Sequence, residues 1–339
     1  MVPASDGYTM PAEWSSHERC WMAWPCRDSL WRADLPAARR TFADVAIAIA
    51  RFEPVTMLAR PDLVGQAREF CGEAVAVAPM PMDDSWTRDT GPTFIRNRDG
   101  VVAGCDWRFN GWGHKETPFD ADAAMAGALL GELGLQRFTA PVVLEGGAIH
   151  VDGRGTLLTT ESVLLNENRN PGLTRDAMAH ILGDWLGVEK FIWLAGGLAG
   201  DMTDGHVDNV ACFVQPGVVL AQICSDPADP NHAILKDNLR ILAASTDARG
   251  EPLTVLTVEQ PEPAVESGER LALSYVNFYI ANGGVVMPAF GSPQDAAAYD
   301  VVAKAFPDRE VVQIDARAIL KGGGGIHCIT QQQPAALWP

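Results

Sequence analysis

The sequence predicts an α/β protein folded as a five-bladed, pseudo-symmetric α/β propeller, one domain spanning residues 1–339. Three observations predict it. At 339 residues and 47% hydrophobic content the chain can bury a large core. One structural phrase recurs: two short apolar strands around a turn, an amphipathic helix, and one more strand, in units of about 60 to 70 residues. The polar residues hardest to explain as structure fall at corresponding places in those units. Units of this kind cannot bury their apolar faces alone, so about five of them should close around a central axis.

In chain order, the first copy is partial: Cys20 to Trp24, a helix around Pro36 to Phe52 and a strand Val55 to Leu58, closed by the carboxy-terminal segment Ile326 to Thr330. The next runs from Thr93-Phe94-Ile95 through the turn Asp99-Gly100 to Val101-Val102, then a helix within Asp120 to Leu133 and a strand near Phe138. Asp-Gly is a strong hairpin signal because both residues accept positive φ. A further copy starts at Val142-Val143-Leu144, turns at Asp152-Gly153 and returns through Thr156 to Thr159. Its helix begins at Thr174, with Met178, Ile181, Leu182 and Trp185 on one face, and its closing strand is Phe191 to Leu194. Val207 to Val214, the turn Pro216-Gly217, Val218 to Ile223, a helix near Asn231 to Ala244 and Leu253 to Val258 repeat the scheme. So do Ala272 to Ala281, the turn Asn282-Gly283-Gly284, Val285 to Pro288, a helix near Gln294 to Phe306, and Val311 to Ile314.

Composition narrows the function. A formal net charge of −17 with no dense Lys/Arg cluster lacks the electrostatic footprint of a nucleic-acid binder and suits a cationic ligand better than a phosphorylated one. Seven cysteines with no C-x-x-C pair suggest neither a disulfide framework nor a structural zinc site, so reduced thiols in a cytoplasmic setting are expected. The amino terminus has no signal-peptide pattern, and no apolar run reaches the roughly 18 residues that cross a bilayer, so secretion and membrane insertion are not expected.

The unusual polar residues are Trp86-Thr87-Arg88-Asp89, Glu145-Gly146-Gly147, Gly205-His206-Val207-Asp208, Tyr275-Val276-Asn277 and, after four glycines, His327-Cys328. In a closed ring of units they would meet at its mouth, where each perturbs the others' proton affinity. Cys328 follows Gly322 to Gly325, a run that lets a ligand approach the backbone closely, and this context points to chemistry at its thiol. His206 and Asp208, two residues apart at a strand entry, face the same side. Asp89 and Glu145 stand among apolar and glycine residues, where an unpaired carboxylate is costly, so each needs a protein partner or a cationic ligand. Asp89 has the plainer alternatives of pairing with Arg88 or capping the turn at Thr90-Gly91-Pro92. Trp86 and Trp112, in glycine- and polar-rich loops, are candidates to wall a cationic ligand. The H-x-D pairs His206/Asp208 and His150/Asp152 raise a metallohydrolase. Asp152 is better explained as a turn residue, which leaves too few ligands, so no metal is expected. The remaining histidines, His327 included, are assigned structural or surface places.

These residues sit in longer phrases that resemble the agmatine deiminase branch of the guanidino-group modifying superfamily, with similarity to the bacterial peptidylarginine deiminases. The phrases are P-A-E-W-S-S-H-E-R-C-W-M-A-W-P (11 to 25), D-D-S-W-T-R-D-T-G-P-T-F (83 to 94), E-G-G-A-I-H-V-D-G-R-G-T-L-L-T-T-E (145 to 161), N-E-N-R-N-P (166 to 171), T-D-G-H-V-D-N (203 to 209), S-Y-V-N-F-Y (274 to 279) and G-G-G-G-I-H-C-I-T-Q-Q-Q-P (322 to 334). The resemblance implies a pentein-like five-bladed propeller, no metal, no cofactor, and a homodimer or larger homo-oligomer. It implies Cys328 as nucleophile, His206 as acid and base, Asp89 and Asp208 as guanidinium ligands, Glu145 in an orienting role and Asn277 as a neighbour in the site. The implied reaction is agmatine and water to N-carbamoylputrescine and ammonia, within putrescine and polyamine metabolism.

Two positions depart from the pattern. Gly325 stands where these enzymes usually carry Asn in G-G-G-N-I-H-C, and Met202 stands four residues before His206, where an acidic residue would suit agmatine's distal ammonium. Asp83, Asp84 and Glu167 are the acidic candidates to replace it. The alternatives are deimination of another guanidino compound or of peptidyl-arginine, amidino transfer, or a non-catalytic guanidino-compound binding protein.

Overall fold

The computed structural model describes residues 2–266 and 268–336. The repeating phrase is present as five small sheets. Four contain three strands each, with the first two antiparallel around a turn and the third parallel to the second after a helix. In chain order they are Thr93–Arg96, Val102–Arg108 and Gln136–Val143; then Ile149–Val151, Thr156–Thr160 and Lys190–Leu194; then Ala211–Gln215, Val218–Ile223 and Thr254–Glu259; then Tyr279–Ala281, Gly284–Ala289 and Glu310–Asp315. The connecting helices are Asp120–Glu132, Arg175–Leu186, Asn231–Ala243 and Asp295–Ala305. The fifth sheet joins the two ends of the chain: Gln331–Pro334 pairs antiparallel with His17–Ala23, which runs parallel to Val55–Ala59 across the helix Leu35–Ala50.

Several boundaries differ from the sequence reading, each for a local reason. Val142 and Val143 end a closing strand instead of opening a hairpin, because the turn at Gly146–Ala148 intervenes before Ile149. Val207–Asn209 and His327–Ile329 are single 3-10 turns, and extended pairing begins only after them, at Ala211 and Gln331. Of Ala272 to Ala281 only Tyr279–Ala281 pairs as strand. The terminal sheet also gains a fourth strand, Ala76–Pro79, reached through the helix Val64–Cys71. Partial exposure along that strand deprives it of a clear apolar signal. A two-stranded hairpin, Val265–Glu266 with Glu269–Arg270, belongs to no sheet of the repeat.

What matters for function is where the sheets begin. The short turns Thr87–Thr90, Gly146–Ala148, Val207–Asn209 and His327–Ile329, together with the segment reaching Asn277, each directly precede the first strand of a sheet. Hydrogen bonds join them into a ring, directly except between Gly146–Ala148 and Val207–Asn209, where the strand Thr156–Thr160 bridges, its Thr159 Oγ1 donating to Ala148 O. Gly147 N–H donates to Asp89 Oδ1, Thr160 Oγ1 to Gly205 O, and Asn277 Nδ2 to Asn209 Oδ1. His327 N–H donates to Asn277 Oδ1 and Thr87 Oγ1 to Ile329 O, which returns to the start. Among the described residues no helix is long and apolar enough to cross a membrane.

Candidate active site

The ring of turns brings together Cys328, His206, Glu145, Asp89, Asp208 and Asn277, all at most 7% exposed. Cys328 Sγ accepts from Asn277 Nδ2 at 3.2 Å and lies 3.6 Å from Asp208 Oδ2. Burial pushes the thiol well above its ordinary pKa. Asp208 and Asp89 push it further up, against the Gly325 N–H and Asn277, which favour the thiolate. Cys328 is therefore a thiol at neutral pH.

His206 is fully buried between two carboxylates, with Nδ1 3.9 Å from Asp89 Oδ1 and Nε2 3.9 Å from Glu145 Oε2. Neither ring nitrogen has a hydrogen-bond partner. Burial opposes its protonation, yet Asp89, Glu145 and Asp208 together raise its pKa to about 9, so it is an imidazolium at neutral pH. Glu145 is held from the other side by Arg169, whose Nε donates to Oε1 at 2.6 Å. Burial would raise this carboxylate's pKa; His206 and Arg169 lower it on balance.

Asp89 does not pair with Arg88 and does not cap the following turn. Its Oδ2 accepts from Trp112 Nε1 at 2.9 Å and its Oδ1 from the Gly147 amide at 3.0 Å. The Arg88 guanidinium turns away to Gln331 and Gln332. Trp112 reaches Asp89 from a loop in which its own backbone is left-handed, φ 53°. Asp208 accepts through Oδ2 from His327 Nδ1 at 2.8 Å, while its Oδ1 is buried without a hydrogen-bond partner among the described residues.

Each of the four glycines before Cys328 faces a side chain where a Cβ would stand: Gly322 faces Trp31, Gly323 Met202, Gly324 Trp86 and Gly325 Asn277. Trp86 is wedged by this contact against Trp31, the rings stacked at 5.8 Å. Gly325 is thus a close-approach glycine: a side chain there would strike the amide that holds the thiol. Met202 offers its carbonyl to Lys115 Nζ, which also pairs with Asp204 at 2.6 Å. The acidic candidates for a distal charge are engaged elsewhere: Asp84 with Arg27 at 3.1 Å, Asp83 with the Ala121 amide, Glu167 with the Gly172 amide.

Two groups escaped the sequence reading. Arg169 lies in a phrase quoted above but was given no role; the need of buried Glu145 for a cation was the signal for it. His327, assigned a structural place, contacts a site carboxylate directly. With Glu13 and His150 it forms the cluster whose donor atoms lie close enough to hold a metal ion. Their protons argue against that use. The Phe213 amide donates to His150 Nδ1, so that ring's proton is on Nε2, facing Glu13 at 3.5 Å. Both His327 nitrogens face carboxylates and so both carry protons. Neither H-x-D pair contributes both its members to a metal-sized cluster among the described residues. The His206 nitrogens face Asp89 and Glu145, and Asp152 accepts the amides of its own turn, Arg154 and Thr156.

A thiol, an imidazolium and three carboxylates closed in by five sheets define a site for a small, planar cation. The chain belongs to the Porphyromonas-type peptidyl-arginine deiminase family, whose pattern matches residues 9–334. Full-length relatives that carry the name agmatine deiminase are among those it is similar to. A Legionella pneumophila protein provisionally so named is 50% identical over 336 residues, covering 98% of this chain and 97% of its own. The agmatine deiminase of Pseudomonas aeruginosa is 46% identical over 358 residues, with 98% and 97% covered. The agmatine deiminase of Enterococcus faecalis, a solved structure, superposes with a TM-score of 0.97 at 36% identity, with 99% of this chain and 98% of that one covered.

Proposed function

We propose that the protein hydrolyses agmatine to N-carbamoylputrescine and ammonia through a covalent intermediate on Cys328, with residues 1–339 acting as one catalytic domain. The observation that carries this reading is a set of buried, unfilled valences beside the thiol. Among the described residues Asp208 Oδ1 and Glu145 Oε2 lack hydrogen-bond partners, and a guanidinium supplies N–H donors to carboxylates in a plane. Full-length relatives that bear the name agmatine deiminase support the choice of substrate.

The chemistry follows from the charges. A guanidinium is protonated beyond about pH 12 and its resonance resists attack, so Asp89 and Asp208 bind and orient it while its charge offsets theirs at Cys328. As the cation enters, the thiol releases its proton to solvent and the thiolate attacks the central carbon. As the carbon–nitrogen bond breaks, His206 gives its proton to the departing ammonia, leaving an S-linked thiouronium. His206, now neutral and oriented by Glu145 and Arg169, takes a proton from water. The resulting hydroxide attacks the same carbon, and the carbon–sulfur bond breaks to release the ureido product and restore Cys328. No step calls for a metal or cofactor.

The buried site suits a small substrate better than a peptide. Met202, in place of an acidic residue, is the specific observation that keeps a different guanidino compound as the second reading. The test is ammonia release from agmatine, free arginine and a peptidyl-arginine by the wild type and Cys328→Ala. Agmatine turnover that vanishes in the variant is expected. Turnover of another guanidinium moves the substrate, full activity in the variant refutes the mechanism, and no ammonia from any of them favours amidino transfer or a binding role. From the resemblance we further infer a cytoplasmic homodimer or larger homo-oligomer, which sedimentation of the purified protein checks.

A further inference from the structure

Glu13 lies in the phrase spanning residues 11 to 25 without a role in the mechanism above, yet it is buried and both its oxygens are engaged. Oε1 accepts from the Ile280 amide at 2.9 Å, and Oε2 accepts from His327 Nε2 at 2.9 Å, with His150 Nε2 at 3.5 Å. His327 in turn donates Nδ1–H to Asp208 Oδ2, the oxygen that lies 3.6 Å from Cys328 Sγ. Glu13, His327 and Asp208 therefore form a buried carboxylate–imidazole–carboxylate array that ends beside the nucleophile.

We propose that Glu13 and His327 are positioning residues for the deimination: an imidazolium clamped between two carboxylates pins Asp208 by one oxygen, leaves the other for the guanidinium, and supplies the positive charge against which Cys328 ionises. The proposal rests on the guanidinium-hydrolase reading of the same site. Its geometric basis is that an imidazole between two acceptors must carry both protons, and that Asp208 Oδ1 is left buried and unpartnered. The charged and titratable groups around His327 are Glu13, Asp208, Cys328, Arg88, whose Nε donates to the His327 carbonyl, and His150, whose ring lies 6.2 Å away. Burial and Arg88 oppose protonation of His327, while Glu13 and Asp208 favour it and prevail, so its pKa is raised. Burial would likewise raise Glu13 and Asp208, and the His327 cation holds both below their ordinary range.

The discriminating variant is Glu13→Gln, which keeps the acceptor for Ile280 but removes the charge. His327 then loses its proton at lower pH. Below that pH the imidazolium persists, so the variant's deficit is smallest there. Above it, Asp208 faces Cys328 without a compensating cation. The ratio of wild-type to variant kcat/KM for ammonia release should therefore widen by about tenfold or more between pH 6.5 and pH 9. A merely structural role predicts a loss independent of pH, and that result overturns the proposal. A second measurement needs no variant. In nitrogen-15 spectra of the wild type, the His327 ring, assigned through its scalar couplings to the sequentially assigned His327 backbone, should carry protons on both nitrogens at pH 8. A single protonated nitrogen overturns the proposal even if every variant misfolds. If the wild type releases no ammonia from any guanidinium, the functional reading fails and the catalytic role proposed for the pair falls with it. The ring protons then show separately whether the clamp exists.

Discussion

Gly147 stands at the centre of the site, and replacing it with alanine tests the geometry with a single methyl group. A Cβ there would lie 2.5 Å from His206 Nδ1, 3.0 Å from Asp208 Oδ2 and 3.1 Å from Asp89 Oδ1. To reach an ordinary contact the imidazole must retreat by about 0.9 Å, and both guanidinium ligands must shift by a few tenths of an ångström. Misplacing a catalytic group by about 1 Å costs on the order of 100-fold, or about 2.7 kcal/mol of barrier. Gly147→Ala should therefore lower kcat for ammonia release by roughly 100-fold and raise KM, because Asp89 and Asp208 also move. The alanine adopts the Gly147 backbone without strain, so the urea midpoint should stay within about 1 kcal/mol of wild type. Gly146→Ala is the contrast. Its Cβ would strike the Arg88 backbone carbonyl, which cannot swing aside, so stability should fall as well as rate. A Gly147→Ala enzyme within threefold of wild-type kcat would refute the placement of His206 beside the reacting carbon.

Arg169→Gln leaves Glu145 buried and without its 2.6 Å partner; it should cost about 3–5 kcal/mol in urea unfolding and abolish most ammonia release, and an unchanged midpoint would refute the pairing. The His206 pKa of about 9 is raised, so its proton is present through neutral pH and is lost as pH climbs through 9. kcat/KM for agmatine should accordingly fall on an alkaline limb near that value. In Glu145→Gln, with one anion removed, the limb should move to lower pH; an unmoved limb would assign it to another group.

The parts of this molecule that were legible in the sequence share a physical cause. Hairpins announced themselves through turns such as Asp99-Gly100 and Asn282-Gly283, where positive φ is demanded at Gly100 and Gly283. The site announced itself through residues that are costly to bury. Asp89, Glu145 and His206 stand in apolar or glycine contexts and make sense only beside one another. What stayed hidden depends on contacts across the ring. Glu13 and His327 are 314 residues apart, and the phrase that contains Glu13 does not show which distant group its carboxylate meets. Trp112 was read as a wall for the substrate, yet its indole N–H is spent on Asp89. Val142 and Val143 misled because an apolar run looks the same whether it closes one unit or opens the next.

The electrostatics give the enclosure a purpose. Four buried carboxylates, Glu13, Asp89, Glu145 and Asp208, would be prohibitive without cations, and His206, His327, Arg169 and Arg88 are supplied internally. Asp208 still keeps one oxygen without a partner among the described residues, and its carboxylate lies beside the thiol. There it keeps Cys328 protonated and inert toward passing electrophiles, because a thiolate next to an uncompensated carboxylate is disfavoured. A guanidinium is both the missing cation and the electrophile, so the charge that fills the site is also what releases the nucleophile. A neutral urea of the same shape brings no such charge. It should neither bind well nor activate Cys328, and this favours departure of the ureido product once ammonia has been lost.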